Sequence, residues 1–497
     1  MTPQPEIVQT PVLLVPLLIT LAAPLGIYYL RKSPNHREGV SFLASALTLL
    51  VVLSMVPAVL AGRIQTFTLF TLMPGVTVRF AADGLSMIFA IVSSLLWGVT
   101  TAYNIGYMRS LNEHAQTRYY VCFAVAIFGA QGVAFSGNIF TLYLFYEIIT
   151  MFTYPLVAHH QDEAGYAGAR KYLIYLVGTS KLFFLPAMVI TYLLCGTLDF
   201  HLGDMVTGIF PPDADPFLVQ LTYWLYIFGL AKAALMPLHN WLPSAMVAPT
   251  PVSALLHAVA VVKAGVFSIS RVILSGFGVQ TMADLGLGLP TAYLAALTIV
   301  VASLIAITKD DIKARLAYST VSQLSYIVIG VAMLTPLAVE GGVLHIAHHA
   351  FSKITLFFGA GAIYVASHLK QISRMGGLGR RMPFTFGAFS LAALSMIGVP
   401  PVCGFVSKWY LVNGAVDTGH MILLAALLTS TLLNAMYFTP IVIKGFFGRP
   451  HPEVAIESIR EAPTCMVVAL CFTATVSVLL GLYPQVFMQF FSVFAGQ

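Results

Sequence analysis

Five lysines stand inside long apolar stretches of this sequence: Lys181, Lys232, Lys263, Lys353 and Lys408. One glutamate, Glu147, joins them in mid-stretch, and so do the histidines His239, His257, His345, His348 and His349. Each of these side chains can take up and release a proton. A buried lysine among like charges does so near neutral pH, which an arginine cannot. His345, His349 and Lys353 recur at i, i+4 and i+8, so a helix would carry them on one face. With His348 beside it, that face can pass protons along side chains and water. A static set of polar groups paired across helices is the competing reading. Histidines at i and i+4 also suit zinc. No carboxylate or cysteine lies near them in sequence, so neither a metal nor any other cofactor is expected. Haem ligation by His257 and His349 on facing helices is a further alternative, although lysines crowd both helices and would compete with a cationic iron.

The elements that hold these groups are membrane helices. Of the 497 residues, 58% are hydrophobic and only 9% charged, where soluble chains carry about 25% charge. That excludes a large soluble core, a nucleic-acid binder and a disordered chain. The five cysteines form no CxxC pair, so neither a disulfide framework nor an iron–sulfur cluster is suggested. Windows of about 20 apolar residues predict fourteen spans. They fall near 11–30, 41–61, 83–103, 118–136, 138–158, 168–195, 218–238, 250–274, 290–308, 314–334, 341–367, 384–412, 420–443 and 464–490. The first reads as a retained helix, because no basic residue precedes it.

The loop charges test the count. Of 25 Lys and Arg, five lie in spans, and alternating spans put Arg63, Arg79 and Arg271 on one side and the other seventeen on the opposite side. The positive-inside rule then places both termini outside. Each central charge would cost roughly 2.5–3.5 kcal/mol against lipid, so the lysines and Glu147 must face one another or water within the bundle.

Two spans carry prolines where a helix should continue: Gly229 to Pro243 around Pro237, and Gly398 to Trp409 around Pro400 and Pro401. Proline removes a backbone donor and breaks the helix, and each break adjoins a buried lysine. Paired interruptions in two halves point to an ion path at a repeat interface. The breaks are five spans apart, which implies two inverted five-helix repeats. The expected organisation is a three-helix segment over 1–103, repeats over 104–275 and 276–447, and a last helix over 448–497.

Several motifs now resemble the antiporter-like subunits shared by Mrp-type cation/proton antiporters, membrane-bound hydrogenases and respiratory complex I. They are Tyr146-Glu147, Lys232 to Pro243, and Ala248-Pro-Thr-Pro-Val-Ser-Ala-Leu-Leu-His257 leading to Lys263-Ala-Gly265. Asp311 to Thr320, His349 to Lys353 and Gly398 to Lys408 complete the set. The resemblance implies an all-α, fourteen-helix subunit that translocates protons within a larger membrane complex, with protons or Na⁺ as cargo and other membrane subunits as partners. It implies that Glu147 and Lys232 form a coupling pair and that Lys263 is the central relay. It further implies that His257 and the His345/His349/Lys353 face link the halves, with Lys408 as exit group. His239 belongs with the relay histidines. Lys408, where complex I members carry glutamate, and the short C-terminal stretch fit the D-type Mrp antiporter subunits and their hydrogenase relatives best. Lys181 and Pro155 depart from the family pattern, and Lys181 is a further partner for Glu147. The chain carries no nucleotide-binding motif, so an energy source other than an ion gradient would come from a partner. A purely structural subunit beside a separate active one is the alternative.

Overall fold

Asx caps open many of the helices, because a side-chain carboxylate or amide oxygen can accept an otherwise orphaned backbone N–H. Asp83 caps Ser86, Asn138 caps Thr141, Asp162 caps Gly165 and Asp311 caps Ala314, at 2.7–2.9 Å. The computed structural model describes residues 6–496, apart from the side chains of residues 256 and 257.

Fourteen helical segments cross the molecule, as the sequence predicts. In order they are Leu14–Tyr29, Pro34–Leu60, Gly84–Ser110, Gln116–Ala134, Ile139–Val157, 163–195, 216–247, 250–284, Gly288–Thr308, Ile312–Ala332, Pro336–Ser367, 383–417, Met421–Phe447 and Thr464–Leu482. Among the described residues, ten helices are long and apolar enough to span a membrane. The other four segments are the unbroken fourth and tenth and the broken seventh and twelfth. The last predicted span ends early, and a separate helix, Gln485–Phe494, follows it.

The breaks fall where the prolines demand. The seventh segment stops as a helix at Gly229 and continues through a short turn at Ala231–Ala233 to Trp241–Ser244. The twelfth is split into Pro383–Ile397 and Cys403–Asp417. The eighth carries wide π-type turns at Leu255–Val259 and Val272–Phe277, irregularities that often mark functional sites.

The bundle also contains strands that span counting overlooks. β1 (Glu6–Gln9) pairs in parallel with β2 (Arg63–Met73), which turns at Gly75 into antiparallel β3 (Val76–Ala82). This sheet caps one face of the bundle, where Arg79 of β3 reaches Asp199 at 2.8 Å. On the opposite face, Asp310 accepts from Ser373 at 2.7 Å and His160 meets Glu113 at 3.4 Å. Loops after even-numbered segments therefore share one face and loops after odd-numbered segments the other, as strict alternation requires.

Arg271 corrects an expectation. It does not lie in a loop: it is fully buried in the eighth segment, and Asp83 receives both its terminal nitrogens, at 2.5 and 2.8 Å. The extended eighth helix carries it inward, and the bidentate pair satisfies both charges.

Candidate functional site

The prolines at the twelfth-segment break build a lysine site by subtraction. In a continuous helix the carbonyls of Met396 and Ile397 would accept the N–H groups of residues 400 and 401. Both are prolines and have none to give. The Lys408 ammonium takes these two carbonyls instead, at 2.6 and 3.2 Å. Tyr326 lies beneath it, with the ring centroid at 4.8 Å. Lys408 is 6% exposed.

From Lys408 the polar groups run inward without leaving the core. Met396 O also accepts from Gln323 Nε2 at 3.5 Å, and Gln323 Oε1 lies 3.1 Å from His345 Nε2. The other ring nitrogen of His345 meets Ser407 Oγ at 2.9 Å. The His345 and His349 rings follow at 5.9 Å, centroid to centroid, and His349 Nδ1 lies 2.9 Å from Lys263 Nζ. A branch returns to the same carbonyl. Lys353 donates to Ser319 at 2.9 Å, Tyr437 bridges Ser319 and Asn434, and Asn434 donates to Met396 O at 3.3 Å. Lys263, His345, His349 and Lys353 are fully buried.

At the other break, Lys232 is fully buried and donates to the Tyr146 carbonyl at 2.7 Å, with its ammonium 3.0 Å from the Tyr146 ring centroid. Glu147 is the residue that follows Tyr146 in the chain. The ion pair of the Glu147 carboxylate is to Lys181, at 3.6 Å, and Ser180 donates to the same carboxylate. Lys181 also donates to Tyr143 at 2.5 Å, and its side chain is 45% exposed. Gly265 lets the eighth segment lie against this break. A Cβ there would stand 2.3 Å from Ala233 N, so only glycine lets the eighth-segment backbone approach Lys232 and Ala233 this closely.

The remaining candidates sit apart from the line. His239 is half-buried near the Tyr318 ring, at 6.3 Å. His348 is fully buried, and neither ring nitrogen has a hydrogen-bond partner. The side chain of His257 lies outside the described residues. Gln323, Ser407, Tyr146 and Asn434 are the groups that a search for charges and histidines passes over. Their signal in the sequence is a lone amide, hydroxyl or phenol within an apolar span.

A cavity of about 300 Å³ opens on the face of the odd-numbered loops, lined in part by Glu113, His160, Asp311, Lys313 and Lys370. Burial works to raise the Glu113 carboxyl, but His159 and His160 beside it hold it down at about 2. The same contact with Glu113 raises His160.

What such an arrangement can do chemically is hand a proton between neighbouring groups. An ammonium and an imidazole 2.9 Å apart can share a hydrogen bond only if one supplies a lone pair, so the pair holds a proton that either member can carry. His349 Nδ1 faces a lysine, a poor setting for a ligand to cationic iron.

Comparison with known proteins agrees with this geometry. Residues 136–434 match the family described as NADH:quinone oxidoreductase/Mrp antiporter, TM, a stretch that holds both breaks and the run from Lys263 to Lys408. The chain is 34% identical over 397 residues to NADH-quinone oxidoreductase subunit N of Desulforudis audaxviator, covering 76% of this chain and 77% of that one. It is 27% identical over 507 residues to Na(+)/H(+) antiporter subunit A1 of Staphylococcus haemolyticus, covering 96% of this chain and 61% of that longer one. Its fold matches a chain in the structure of the Mrp complex from Dietzia sp., with TM-score 0.86 and 22% identity over 98% of this chain and 97% of that one. This chain is a multi-pass membrane protein, and it belongs to the NADH:quinone oxidoreductase/Mrp antiporter family.

Proposed function

We propose that this chain is a proton-translocating subunit of a multisubunit prokaryotic membrane complex, either an Mrp-type antiporter or a redox-driven relative. The observation that carries this reading is the buried line from Lys263 through His349, His345 and Gln323 to Lys408. A line of this kind has no structural need for so many ionisable groups. Apolar side chains of similar volume would fill the space at lower desolvation cost.

In this account Glu147 is the coupling group. It lies against Lys181 and beside the residue that holds Lys232. With the carboxylate on Lys181, no counter-charge among the described residues is in contact with the Lys232 ammonium, and its proton passes on to the Lys263–His349 pair. Lys353 feeds the same pair, and Lys408 delivers to the far side. The halves carrying the two breaks act as inverted repeats over 104–275 and 276–447, with both termini on the outer side of the inner membrane. The relay groups favour protons as this chain's cargo, since Glu147 is its one mid-span carboxylate and sodium prefers oxygen ligands. The D-type Mrp antiporter subunit is the family member that Lys408 fits best.

Everted membrane vesicles with a fluorescent pH probe test this reading. Glu147→Gln is expected to abolish acidification while the complex still assembles on a native gel. Normal acidification would overturn the coupling role, and lost assembly would favour a structural one.

A further inference from the structure

Outside the proton line, the turns that follow the third and fifth segments bring Glu113, His114 and His159 together, with one ligand-capable atom from each within 4.8 Å of the others. His159 is fully buried, and neither of its ring nitrogens makes a hydrogen bond. Burying an imidazole in that state is unfavourable. Its Nε2 lies 3.6 Å from Glu113 Oε2, close to the roughly 3.4 Å edge of a tetrahedron with 2.0–2.1 Å bonds to zinc. The His114 ring lies over His159, with centroids 4.9 Å apart.

We propose that Glu113, His114 and His159 form a site for a divalent transition-metal ion of the Zn²⁺ class. Two imidazoles and a carboxylate are borderline ligands of the kind zinc takes. Three protein ligands leave a fourth position for water, the form of an exchangeable site rather than a closed structural one. The supporting groups are already in place. His160 Nε2 lies 3.4 Å from Glu113 Oε1, an outer contact that orients a ligating carboxylate. Arg118 holds the His159 carbonyl at 2.9 Å, and Gln116 holds the Glu113 carbonyl at 3.2 Å. The backbones of the two turns are therefore fixed while the side chains close on the ion.

The site has a consequence for transport, which rests on the proton-path reading given above. Glu113 and His160 line the cavity on this face. A bound ion would clamp the two turns together and occupy a carboxylate in the lining of this cavity, and with the cavity taken as the entry to the path, metal slows proton uptake.

The test uses the full-length chain in detergent, titrated with Zn²⁺ against a chromogenic chelator, and the chain in its native vesicles for transport. The wild-type protein is expected to hold one Zn²⁺ equivalent that His114→Ala, Glu113→Gln and His159→Gln each lose. His160→Ala should weaken it by about 10–100-fold, the usual effect of an outer contact. His114 is exposed, so its variant separates loss of a ligand from loss of the fold. X-ray absorption at the zinc edge should show nitrogen and oxygen near 2.0–2.2 Å. An unchanged equivalent in the variants, or a sulfur shell near 2.3 Å, overturns the site. In vesicles, Zn²⁺ should slow the wild-type rate and spare His114→Ala, each normalised to its own metal-free rate. Bound zinc with an unchanged rate overturns the clamp. Failure of the path itself reads out separately, as metal-free transport by Lys263→Arg.

Discussion

Lys263 and His349, 86 residues apart, hold nitrogen to nitrogen at 2.9 Å in a fully buried site. Two cations at that distance would repel strongly in so dry a place. The pair is therefore stable with one proton fewer than its full complement, and that missing proton is what a relay needs. On either side of it the contacts lead toward a broken helix. Gly265 sits against the first break, and the His345–Gln323 link reaches the second.

Gln323 joins the histidines to the carbonyl that Lys408 occupies. Gln323→Leu keeps the volume and removes the link. It should leave His345 Nε2 unpaired at a cost of about 1–3 kcal/mol and slow proton transport strongly. A thermal melt and vesicle acidification on the same preparation check both effects. A full rate with the melt lowered would show that the amide only supports the fold.

Pro400→Ala tests the break itself. The alanine N–H can return to Met396 O and compete with the Lys408 ammonium for it. Transport should fall while the chain stays folded, since a helical bond has been added. Transport unchanged in that variant would mean that the freed carbonyl does not hold Lys408 for function.

Arg271 and Asp83 form the contrasting case. Their pair is bidentate and buried, and an arginine holds its proton throughout. Asp83→Asn should destabilise the protein by about 3–5 kcal/mol by leaving a buried charge uncompensated. The transport rate per folded molecule should stay near normal. Denaturant unfolding followed by rate measurement on the folded fraction checks this, and a selective loss of rate would bring the pair into the path.

Much of this design is legible in the sequence, for physical reasons. A lysine in an apolar span is so unfavourable against lipid that Lys232, Lys263, Lys353 and Lys408 announce an interior path. Pro237, Pro400 and Pro401 announce the breaks because a missing N–H cannot be hidden in a membrane. The partners are harder to read. Gln323, Ser407 and Asn434 are neutral and cost little in an apolar window, so only the tertiary fold reveals them as links. Glu147 illustrates the same limit. Its neighbour in sequence, Tyr146, holds Lys232, while the carboxylate itself meets Lys181 from the sixth segment. Arg271 is hard to read because it falls three residues from the end of the expected span at 274, where a basic residue passes for a loop charge. The eighth segment instead runs on to Asp284 and keeps the arginine inside. The hairpin of β2 and β3 shows a Thr-rich alternation around Pro74-Gly75 that a window of helical length averages away.

Lys263→Arg separates a mobile proton from a fixed charge. Arginine keeps the charge and much of the length but does not release its proton at physiological pH. Proton translocation should be measured in everted vesicles, with assembly of the complex followed on native gels. The account predicts a normally assembled complex whose rate is lower by at least about 100-fold, the scale on which a positioned proton-transfer group acts. A Lys263→Arg complex that pumps at the wild-type rate would contradict it, because a fixed charge would then suffice where a mobile proton is required.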